Sequence, residues 1–497
     1  MRPYARFSPA GRSEIDPYQS IAPIILPLPC HTLVGTRRDE MERFFVCLLE
    51  GIRQLADILW GVPAMVLLLA VGIAATAVTR WVQLRRLPDS FRLVAGSLRE
   101  THGGVSPFQA VCTALAATVG TGNIAGVAGA ITLGGPGAVF WMWVSAFFGM
   151  ATKYAEVVLA MRYRRRDEKG QWQGGPMYYI RDGMGCPRLA GLFALFALLA
   201  SFGMGNMAQV NTISTAAQEA AAAYFPALSP QAAAWGTGLL CAAAVIFLTG
   251  AKRVGRVMER LVPVVAALYI LAAGAVIVLH GNQLGSVLRS IVLGALSPAA
   301  VLGGGVGIGI RQAVRFGVSR GVFSNEAGLG SAPMAHAAAE AKPEEQGLLG
   351  IFEVFLDTIV LCTLTALAIL VSGVPIPYGG AAGAELACAA LETVFGALAP
   401  GLLTLCIALL ALGTLLCWQL YGLTCARYLW GNRGTAVYRA AFAGAALLGA
   451  AMDLSAVWII ADALNGLMLL PNLAALFYLL PQVSPTALTD VPKASIL

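Results

Sequence analysis

The sequence predicts an all-α polytopic membrane protein with about eleven transmembrane helices. Of its 497 residues, 58% are hydrophobic and only 12% are charged, and the mean hydropathy is +0.73. Soluble domains do not have this composition. A helix needs about 20 apolar residues to cross a hydrocarbon core about 30 Å thick, and clusters of glycine, proline and arginine divide the chain into about eleven runs of that length.

The seventh predicted span differs from the others. It is too long and too rich in glycine for one straight helix, and Arg311, Arg315 and Arg320 interrupt it. We therefore expect a helix that is broken midway. The predicted spans lie, in chain order, at 59–79, 107–133, 138–160, 188–213, 233–250, 258–280, 300–336, 348–374, 401–426, 436–452 and 455–480.

Lysine and arginine are unevenly distributed among the connections between these spans. Four alternate connections are basic, at 80–106, 161–187, 251–257 and 427–435, whereas 214–232 and 375–400 contain no lysine or arginine. Basic connections face the cytoplasm in membrane proteins. The sequence therefore predicts an N-terminus outside the cell and a C-terminus in the cytoplasm. The basic connections also explain the net charge of +7, so it does not indicate a nucleic-acid partner.

Two stretches combine several glycines with several polar side chains inside predicted spans. They are TVGTGNIAG at 118–126 and RGVFSNEAGLGSAP at 320–333, and each lies in the opening span of one half of the chain. Gly-interrupted segments at corresponding positions of two halves are typical of transporters built from inverted repeats. We predict a 5+5 inverted repeat over about 107–280 and 300–480, preceded by one N-terminal helix, with two broken helices.

Glycine at these positions has a physical use. A helix unwound at Gly120 and Gly122 exposes backbone N–H groups that suit a carboxylate and carbonyls that suit a cation. Close packing of small residues is the alternative reading of Gly122 and its neighbours. Thr121 and Asn123 in one stretch, matched by Ser324, Asn325 and Glu326 in the other, favour a binding site, because unsatisfied polar groups are expensive in a membrane.

These stretches, with GGPMYYI at 174–180 and GTLLCWQLYG at 413–422, resemble the alanine or glycine:cation symporter family. The resemblance runs from about Leu59 to Pro481. It implies a LeuT-type fold with one additional N-terminal helix, sodium-coupled uptake of small neutral amino acids such as alanine and glycine, and location in a bacterial plasma (inner) membrane.

The resemblance also implies roles for individual residues. Those expected to bind the amino acid are Gly120, Thr121 and Gly122 at its carboxylate, Phe323, Ser324 and Asn325 over its backbone, and Trp418 at its side chain. Asn123 is expected to bind the amino acid or one sodium ion. A sodium ion is further expected at the carbonyls of Ala116 and Val119 and the hydroxyl of Thr414. Family members usually carry serine where this chain has Gly413, so this sodium site lacks one hydroxyl ligand that the family usually supplies.

Other polar residues within spans are open to two interpretations. Phe202 and Gln209, in SFGMGNMAQVN at 201–211, contact either the substrate or neighbouring helices. Glu353 and Asp357 are an acidic pair four residues apart, and ionisable residues at this depth are functional candidates. Asp357 serves an ion or proton path, or pairs with Arg311 or Arg315. Glu326 is a gate or a helix cap.

The predicted function is sodium-driven amino-acid transport, with proton coupling through Asp357 or Glu326 as the alternative and a non-transporting amino-acid sensor as a distant one. GVSRG at 317–321 formally matches a hydrolase motif, but a helical membrane segment does not provide the strand-to-helix turn this motif needs, so no enzyme is expected. His336 is expected on a helix face near the cytoplasm. The cysteines, Cys362 among them, are expected to be small packing residues. The partners are an amino acid, sodium and membrane lipid, with no cofactor apart from the coupling ion.

The predicted domains are an N-terminal extension at 1–58, a transporter domain at 59–482 and a cytoplasmic tail at 483–497. Disorder is expected over 1–40, with Met41 as the alternative start of translation.

Overall fold

The structure of the protein is a computed structural model that describes residues 37–98, 104–168, 170–224, 227–296, 309–380, 383–452 and 454–484. Contacts group Leu49–Leu497 into one compact unit and Met1–Leu48 into another. The predicted disorder over 1–40 falls almost entirely outside the described residues. Helix α1 (Arg37–Leu59) was not predicted; it overlaps the predicted N-terminal extension up to residue 58, and from Cys47 onward it belongs to the first candidate membrane span, Cys47–Val78.

The first half of the chain is helical apart from one short β-hairpin at a connection. Its elements are α2 (Val62–Val78), α3 (Val82–Arg85), α4 (Leu87–Ser97), α5 (Pro107–Thr118), α6 (Val127–Gly134), α7 (Gly137–Arg162), β1 (Arg165–Arg166), β2 (Trp172–Gln173), α8 (Pro176–Asp182), α9 (Pro187–Phe202), α10 (Ala208–Tyr224), α11 (Pro230–Phe247), α12 (Ala251–Leu279) and α13 (Leu284–Leu296). The strands β1 and β2 pair antiparallel, with Arg165 opposite Gln173.

The regular elements of the described part of the second half are helices joined by short non-helical segments. Its helices are α14 (Ile310–Asn325), α15 (Pro333–His336), α16 (Pro343–Val354), α17 (Thr363–Val371), α18 (Ala384–Phe395), α19 (Ala399–Ala451) and α20 (Leu454–Leu479). Three π-helical turns interrupt spans at Gly122–Gly126, Gly203–Met207 and Phe355–Cys362, and short 3₁₀ turns lie at Gly281–Gln283, Gly396–Leu398 and Leu480–Val483. π-Helical turns within α-helices are frequent at functional sites.

Eight helical stretches of the described residues are long and apolar enough to cross a membrane, or nine if the bent pair α5 and α6 forms one span. The sequence predicted eleven. One difference lies in α14, which carries Arg311, Arg315 and Arg320. The other lies in α19, which is 53 residues long and combines two predicted spans across a kink at Gly431, where φ is +66°. The total of eleven and the inverted repeat stay predictions.

Local sequence explains where the first broken span begins. Ser106 accepts the Gln109 backbone N–H at 3.1 Å while the Gln109 side chain accepts the Ser106 N–H at 3.3 Å, which is a capping box. Pro107 follows at the first helical position, where its missing N–H leaves no hydrogen bond unmade. This span then packs against α12 and α19, and the second broken span packs against α7.

A cavity of about 350 Å³ brings together residues from all four basic connections. They are Gly104, Trp172, Lys252 and Arg427. The four connections therefore lie on one side of the helical bundle, which we call the basic side. Which side of the membrane this is stays a prediction.

Candidate functional site

The first break lies between α5 and α6, whose axes are bent by 53°. Val119 ends α5 with an extended backbone, at φ −73° and ψ 105°. Asn123 stabilises the open turn through two hydrogen bonds to Gly120. Its side-chain Oδ1 accepts the Gly120 N–H at 2.8 Å, and its backbone N–H donates to the Gly120 carbonyl at 3.3 Å. Thr121, between them, is half-buried and makes no capping hydrogen bond with its side chain. The predicted break in this span is therefore present.

The second break follows α14, which ends at Asn325. Glu326 adopts the left-handed conformation at φ 53°, and Gly328 and Gly330 have φ of 93° and 83° before α15 begins. A Cβ atom at Gly328 would lie 2.6 Å from Leu68 Cδ2, so both backbone conformation and space select glycine there. The side chain of Asn325 caps the opening of this segment, accepting the Ala327 N–H at 3.0 Å.

The two breaks meet through one amide and one hydroxyl. Asn123 Nδ2 lies 3.0 Å from Ser324 Oγ and 2.7 Å from Asp357 Oδ1, and Ser324 Oγ donates to Asp357 Oδ2 at 2.8 Å. Cys362 Sγ lies 3.3 Å from Ser324 Oγ, so this cysteine touches the junction and is more than a packing residue. We call Asn123, Ser324 and Asp357 the junction. All three side chains are at most 2% exposed.

Asp357 is fully buried and lies in the π-helical turn Phe355–Cys362. Its carboxylate accepts from Asn123, Ser324 and Thr358, the last at 2.8 Å. Among the described residues no lysine or arginine forms an ion pair with it. The alternative pairing with Arg315 is wrong, because the Arg315 guanidinium lies 3.8 Å from Asp57 instead. Three neutral donors surround this carboxylate, so none of its hydrogen-bond partners carries a positive charge that would neutralise it.

The hydroxyl of Thr414 lies beside the first break. Its Oγ1 is 2.9 Å from the Ala116 carbonyl oxygen and 3.2 Å from that of Leu410, and a Cβ built at Gly120 would be 3.4 Å from it. A Cβ at Gly413 would lie 3.3 Å from Ala116 Cβ. The predicted sodium ligands Ala116 and Thr414 are thus in contact. The third predicted ligand, Val119, follows Ala116 by three residues in the chain.

An apolar wall adjoins the second break and includes residues that sequence reasoning missed. Phe323 clusters with Met204 and Ala461, and all three are at most 9% exposed. Trp418 is fully buried and packs so closely on Gly205 that a Cβ there would lie 2.3 Å from Trp418 Cβ. Met204 and Gly205 belong to the π-helical turn Gly203–Met207, whose sequence signal is a glycine on either side of Met204.

Three other residues predicted to contact the substrate are engaged with other parts of the protein. Phe202 packs edge-on against Tyr438 at a centroid distance of 5.3 Å and lies 5.8 Å from Phe442. Gln209 Nε2 donates to the Met204 carbonyl at 3.0 Å, which holds the π-helical turn. Asn325 Nδ2 donates to Thr358 Oγ1 at 3.1 Å, on the helix that carries Asp357. Their direct contact with substrate stays a prediction.

The acidic candidates Glu353 and Glu326 belong to a buried polar cluster outside the junction. Glu353 lies 3.3 Å from Lys153 Nζ and 2.9 Å from His336 Nε2, and all these side chains are fully buried. Glu326 accepts from Ser331. His336 ends α15, directly after Met334 and Ala335 of the basic-side cavity, so it lies on a helix near the basic side as expected, although it is fully buried; that this side faces the cytoplasm stays a prediction. Lys153 was missed, although a lysine within a predicted span was visible in the sequence.

Comparison with known proteins places the sequence among membrane transporters. Residues 46–491 match the model of the sodium:alanine symporter family. The chain is 42% identical over 447 residues to the "Sodium/alanine symporter AgcS" of Methanococcus maripaludis, covering 88% of this chain and 95% of that protein. It is 42% identical to an "Uncharacterized transporter" of Haemophilus influenzae, covering 86% and 93%. It is also 39% identical to the "Probable sodium/glutamine symporter GlnT" of Bacillus subtilis, covering 90% and 91%.

Proposed function

Because the chain belongs to the sodium:alanine symporter family, we propose that it is a secondary active transporter that couples sodium influx to uptake of a small neutral amino acid. The proposal includes a LeuT-type inverted repeat in the plasma membrane, with the basic side in the cytoplasm. The relatives with named substrates include an alanine and a glutamine symporter, so family membership alone does not select the amino acid.

The junction is the observation that carries the proposal. Two helices are broken, and the breaks contact each other through Asn123 and Ser324. The buried carboxylate of Asp357, which has no basic partner among the described residues, is hydrogen-bonded to both side chains. Open helix ends provide N–H donors for a carboxylate and carbonyls for a cation. A zwitterionic amino acid and a sodium ion are complementary to that set of groups.

Two places suit sodium, which prefers several hard oxygen ligands. One is Asp357 with the hydroxyl oxygens of Ser324 and Thr358, beside the amide nitrogen of Asn123. The other lies between Ala116, Val119 and Thr414. There the Thr414 hydroxyl proton can point to the Leu410 carbonyl, which leaves its lone pairs for the ion.

Sodium-driven uptake into proteoliposomes tests the function. We expect labelled alanine and glycine to accumulate under an inward sodium gradient, with serine, leucine and glutamine as competitors to define the substrate range. Equal accumulation without sodium but with an inward proton gradient would instead support proton coupling. The absence of a basic partner for Asp357 among the described residues makes this the second candidate. No accumulation under either gradient would contradict both.

Trp418→Ala is expected to enlarge the pocket for the amino-acid side chain. Removal of a fully buried indole leaves a cavity that a larger substrate can fill, whereas alanine loses its contacts. Competition assays should show alanine affinity lowered about tenfold and leucine or methionine competing better than before. The matched control is Trp430→Ala on the same helix, because Trp430 is 57% exposed. Equal loss for every amino acid would make Trp418 a packing residue only.

Thr414→Ala is expected to raise the sodium concentration for half-maximal uptake by roughly tenfold, because one lost oxygen ligand is worth about 1–3 kcal/mol. Thr424→Ala is the control, since Thr424 makes the same bond to the carbonyl four residues back, at 2.9 Å, on the same helix. Gly413→Ser should move the sodium dependence in the opposite direction by adding an oxygen near the Ala116 carbonyl, provided that Ala116 shifts slightly to admit the new Cβ. An unchanged sodium dependence in Thr414→Ala would remove this site.

A further inference from the structure

A groove of about 420 Å³ opens at the surface of the helical bundle, separate from the cavity of the basic side. It lies between the connection 80–106, α7 and the π-helical turn Phe355–Cys362. We call it the aromatic groove. Its lining is apolar and rich in aromatic rings, and includes Leu84, Leu87, Phe140, Phe147, Phe355 and Ile359. Neither the junction nor the Thr414 site uses these side chains.

The two polar side chains in the lining are already engaged. Gln83 Nε2 donates to Thr76 Oγ1 at 2.8 Å. The Trp143 indole N–H donates to Thr363 Oγ1, also at 2.8 Å. Of these groups only Gln83 Oε1 has no hydrogen-bond partner. The groove therefore suits an apolar occupant and offers little to a polar one.

The groove is about as long as one leaflet of a membrane is thick. Phe140 and Met150, both in the lining, are ten residues apart on α7, a distance of about 15 Å along the helix axis. The hydrocarbon core of a bilayer is about 30 Å thick, so each leaflet contributes about 15 Å. Trp81, which lies 6.3 Å from the Phe147 ring, and Leu84 are 52% and 57% exposed, as apolar side chains that face lipid are. An acyl chain of a lipid matches this length and this surface.

Exposed arginines adjoin one end of the groove. Leu84 and Leu87 line it there, and Arg85 directly follows Leu84. The Arg85 guanidinium donates to the Thr79 carbonyl at 3.3 Å, which places it beside Arg80, the next residue. Both arginines are exposed, and neither forms an ion pair within the described part of the chain. This end of the groove therefore has two guanidinium groups that can bind an anion.

Two carboxylates lie near this end without cancelling its charge. Asp89 pairs with Arg86 and, at 3.2 Å, with Arg92. Glu344 is close to Arg86, since both act electrostatically on Tyr154. With the two unpaired arginines, four positive charges face two negative ones. A net positive end on an apolar groove is complementary to an anionic phospholipid, whose phosphate binds arginine and whose chains need apolar surface.

The inner wall of the groove belongs to the turn that carries Asp357. Phe355 and Ile359 lie two residues before and two residues after Asp357, and therefore on the opposite face of the turn. Asp357 bonds to Asn123 and Ser324 at the junction, whereas Phe355 and Ile359 line the groove. An occupant of the groove thus packs against the back of the turn that positions this carboxylate.

We propose that the aromatic groove binds one acyl chain of an anionic phospholipid from the surrounding membrane, with the lipid phosphate at Arg80 and Arg85. The guanidinium groups donate charge-assisted hydrogen bonds to the phosphate oxygens. The acyl chain covers Phe355 and Ile359, and so holds the π-helical turn and Asp357 in the arrangement of the junction. The consequence for transport rests on the proposed function, whereas lipid binding itself does not.

Photo-crosslinking of the full-length protein tests binding without any transport assay. The probe is phosphatidylglycerol with a diazirine in one acyl chain, and the labelled peptides are identified by mass spectrometry. We expect label within 140–150 and 355–359, and at least fivefold less label there from the same probe with a phosphatidylcholine headgroup. Equal labelling by both headgroups, or label only outside the groove, would overturn the proposal. A groove protected from both probes in a dimeric protein would identify a second copy of the chain as the occupant, which also overturns it.

Arginine variants test the headgroup contact. Arg80→Gln with Arg85→Gln should weaken phosphatidylglycerol binding about 20-fold, because each basic residue near an anionic headgroup contributes roughly fivefold. Binding is measured by native mass spectrometry of the purified protein. Arg188→Gln with Arg433→Gln is the matched control, since both are exposed arginines at other basic connections. Equal weakening in the two double variants would show that the lipid responds only to overall charge, and would overturn the site.

A filled groove tests the acyl-chain contact. Val144→Trp places an indole in the groove and leaves the arginines intact, so we expect weaker phosphatidylglycerol binding and loss of crosslinking at 355–359. Val264→Trp is the control, because Val264 is 66% exposed on α12, outside the groove. Unchanged crosslinking in Val144→Trp would mean that the chain lies elsewhere.

Uptake in proteoliposomes tests the consequence for transport. Adding phosphatidylglycerol to phosphatidylcholine vesicles should lower the sodium concentration for half-maximal alanine uptake about fivefold in wild type, and less than about twofold in Val144→Trp. The negative surface potential concentrates sodium equally for both proteins, so the difference between them reports on the groove. Equal shifts in both would overturn the role in transport. A wild type that transports in neither kind of vesicle would contradict the proposed function, while crosslinking still reports on lipid binding.

Discussion

Asp357→Asn is expected to abolish sodium-coupled uptake at ordinary sodium concentrations. The asparagine keeps the size of the side chain and can still accept from Ser324 and Thr358. The asparagine, however, has no negative charge. Its new NH₂ group also faces the Asn123 NH₂ group, which donates to Asp357 Oδ1 at 2.7 Å in the wild type, so two donors oppose each other. We expect the sodium concentration for half-maximal uptake to rise roughly 100-fold, which corresponds to about 3 kcal/mol of ion binding.

The measurement is uptake of labelled alanine as a function of sodium, together with binding of alanine to purified protein. Asp182→Asn is the control for loss of a carboxylate, because Asp182 is held by Arg181 at 2.8 Å and Arg165 at 3.1 Å outside the spans. Normal sodium dependence in Asp357→Asn would exclude an ion at the junction. If Thr414→Ala at the same time shifted the sodium dependence of uptake, the coupling sodium ion would bind at the Thr414 site and not at the junction.

The two breaks were predictable because their signal is local. Glycines and polar side chains within an apolar run are visible in TVGTGNIAG and SNEAGLGSAP without knowledge of any neighbour. Asp357 was visible in the same way, as a charge within an apolar run. What the sequence did not contain is the pairing. Asp357 is 234 residues from Asn123, and only the path of the chain through the bundle decides that it meets this amide rather than an arginine.

The apolar wall illustrates a second limit. Met204 and Gly205 were not selected, because nothing in their side-chain chemistry distinguishes them from packing residues. Their role depends on a π-helical turn, which places Gly205 against Trp418 with no room for a Cβ. Such a turn arises when other contacts override the regular hydrogen-bond pattern, here the packing of Gly205 on Trp418 and the bond from the Gln209 side chain to the Met204 carbonyl. Local propensity does not reveal it.

The buried cluster around Lys153 was missed for a different reason. Lys153 and Glu156 are both visible within the span predicted at 138–160, three residues apart and therefore on one helix face. Each was a functional candidate by the same rule that selected Glu353. Their partners, however, come from α16 and α20, so no pattern within one span shows whether the lysine is neutralised.

Lys153→Met is expected to destabilise the protein strongly. It leaves Glu353 fully buried without its ammonium partner, and breaking one side of a buried ion pair lowers the free energy of unfolding by about 3–5 kcal/mol. Lys342→Met is a closely matched control. Lys342 lies at the same 3.3 Å from Glu345 as Lys153 does from Glu353, but its side chain is 77% exposed, so its loss should change stability by less than about 1 kcal/mol.

The double variant separates charge from shape. In Lys153→Met with Glu353→Gln, the buried carboxylate is gone, and the glutamine can still accept from His336 through its carbonyl oxygen. We therefore expect the double variant to unfold at a higher temperature than Lys153→Met alone, as measured by thermal unfolding of the purified protein in detergent. A double variant less stable than either single one would mean that the aliphatic stem of Lys153, which packs against Gly350, matters more than its charge.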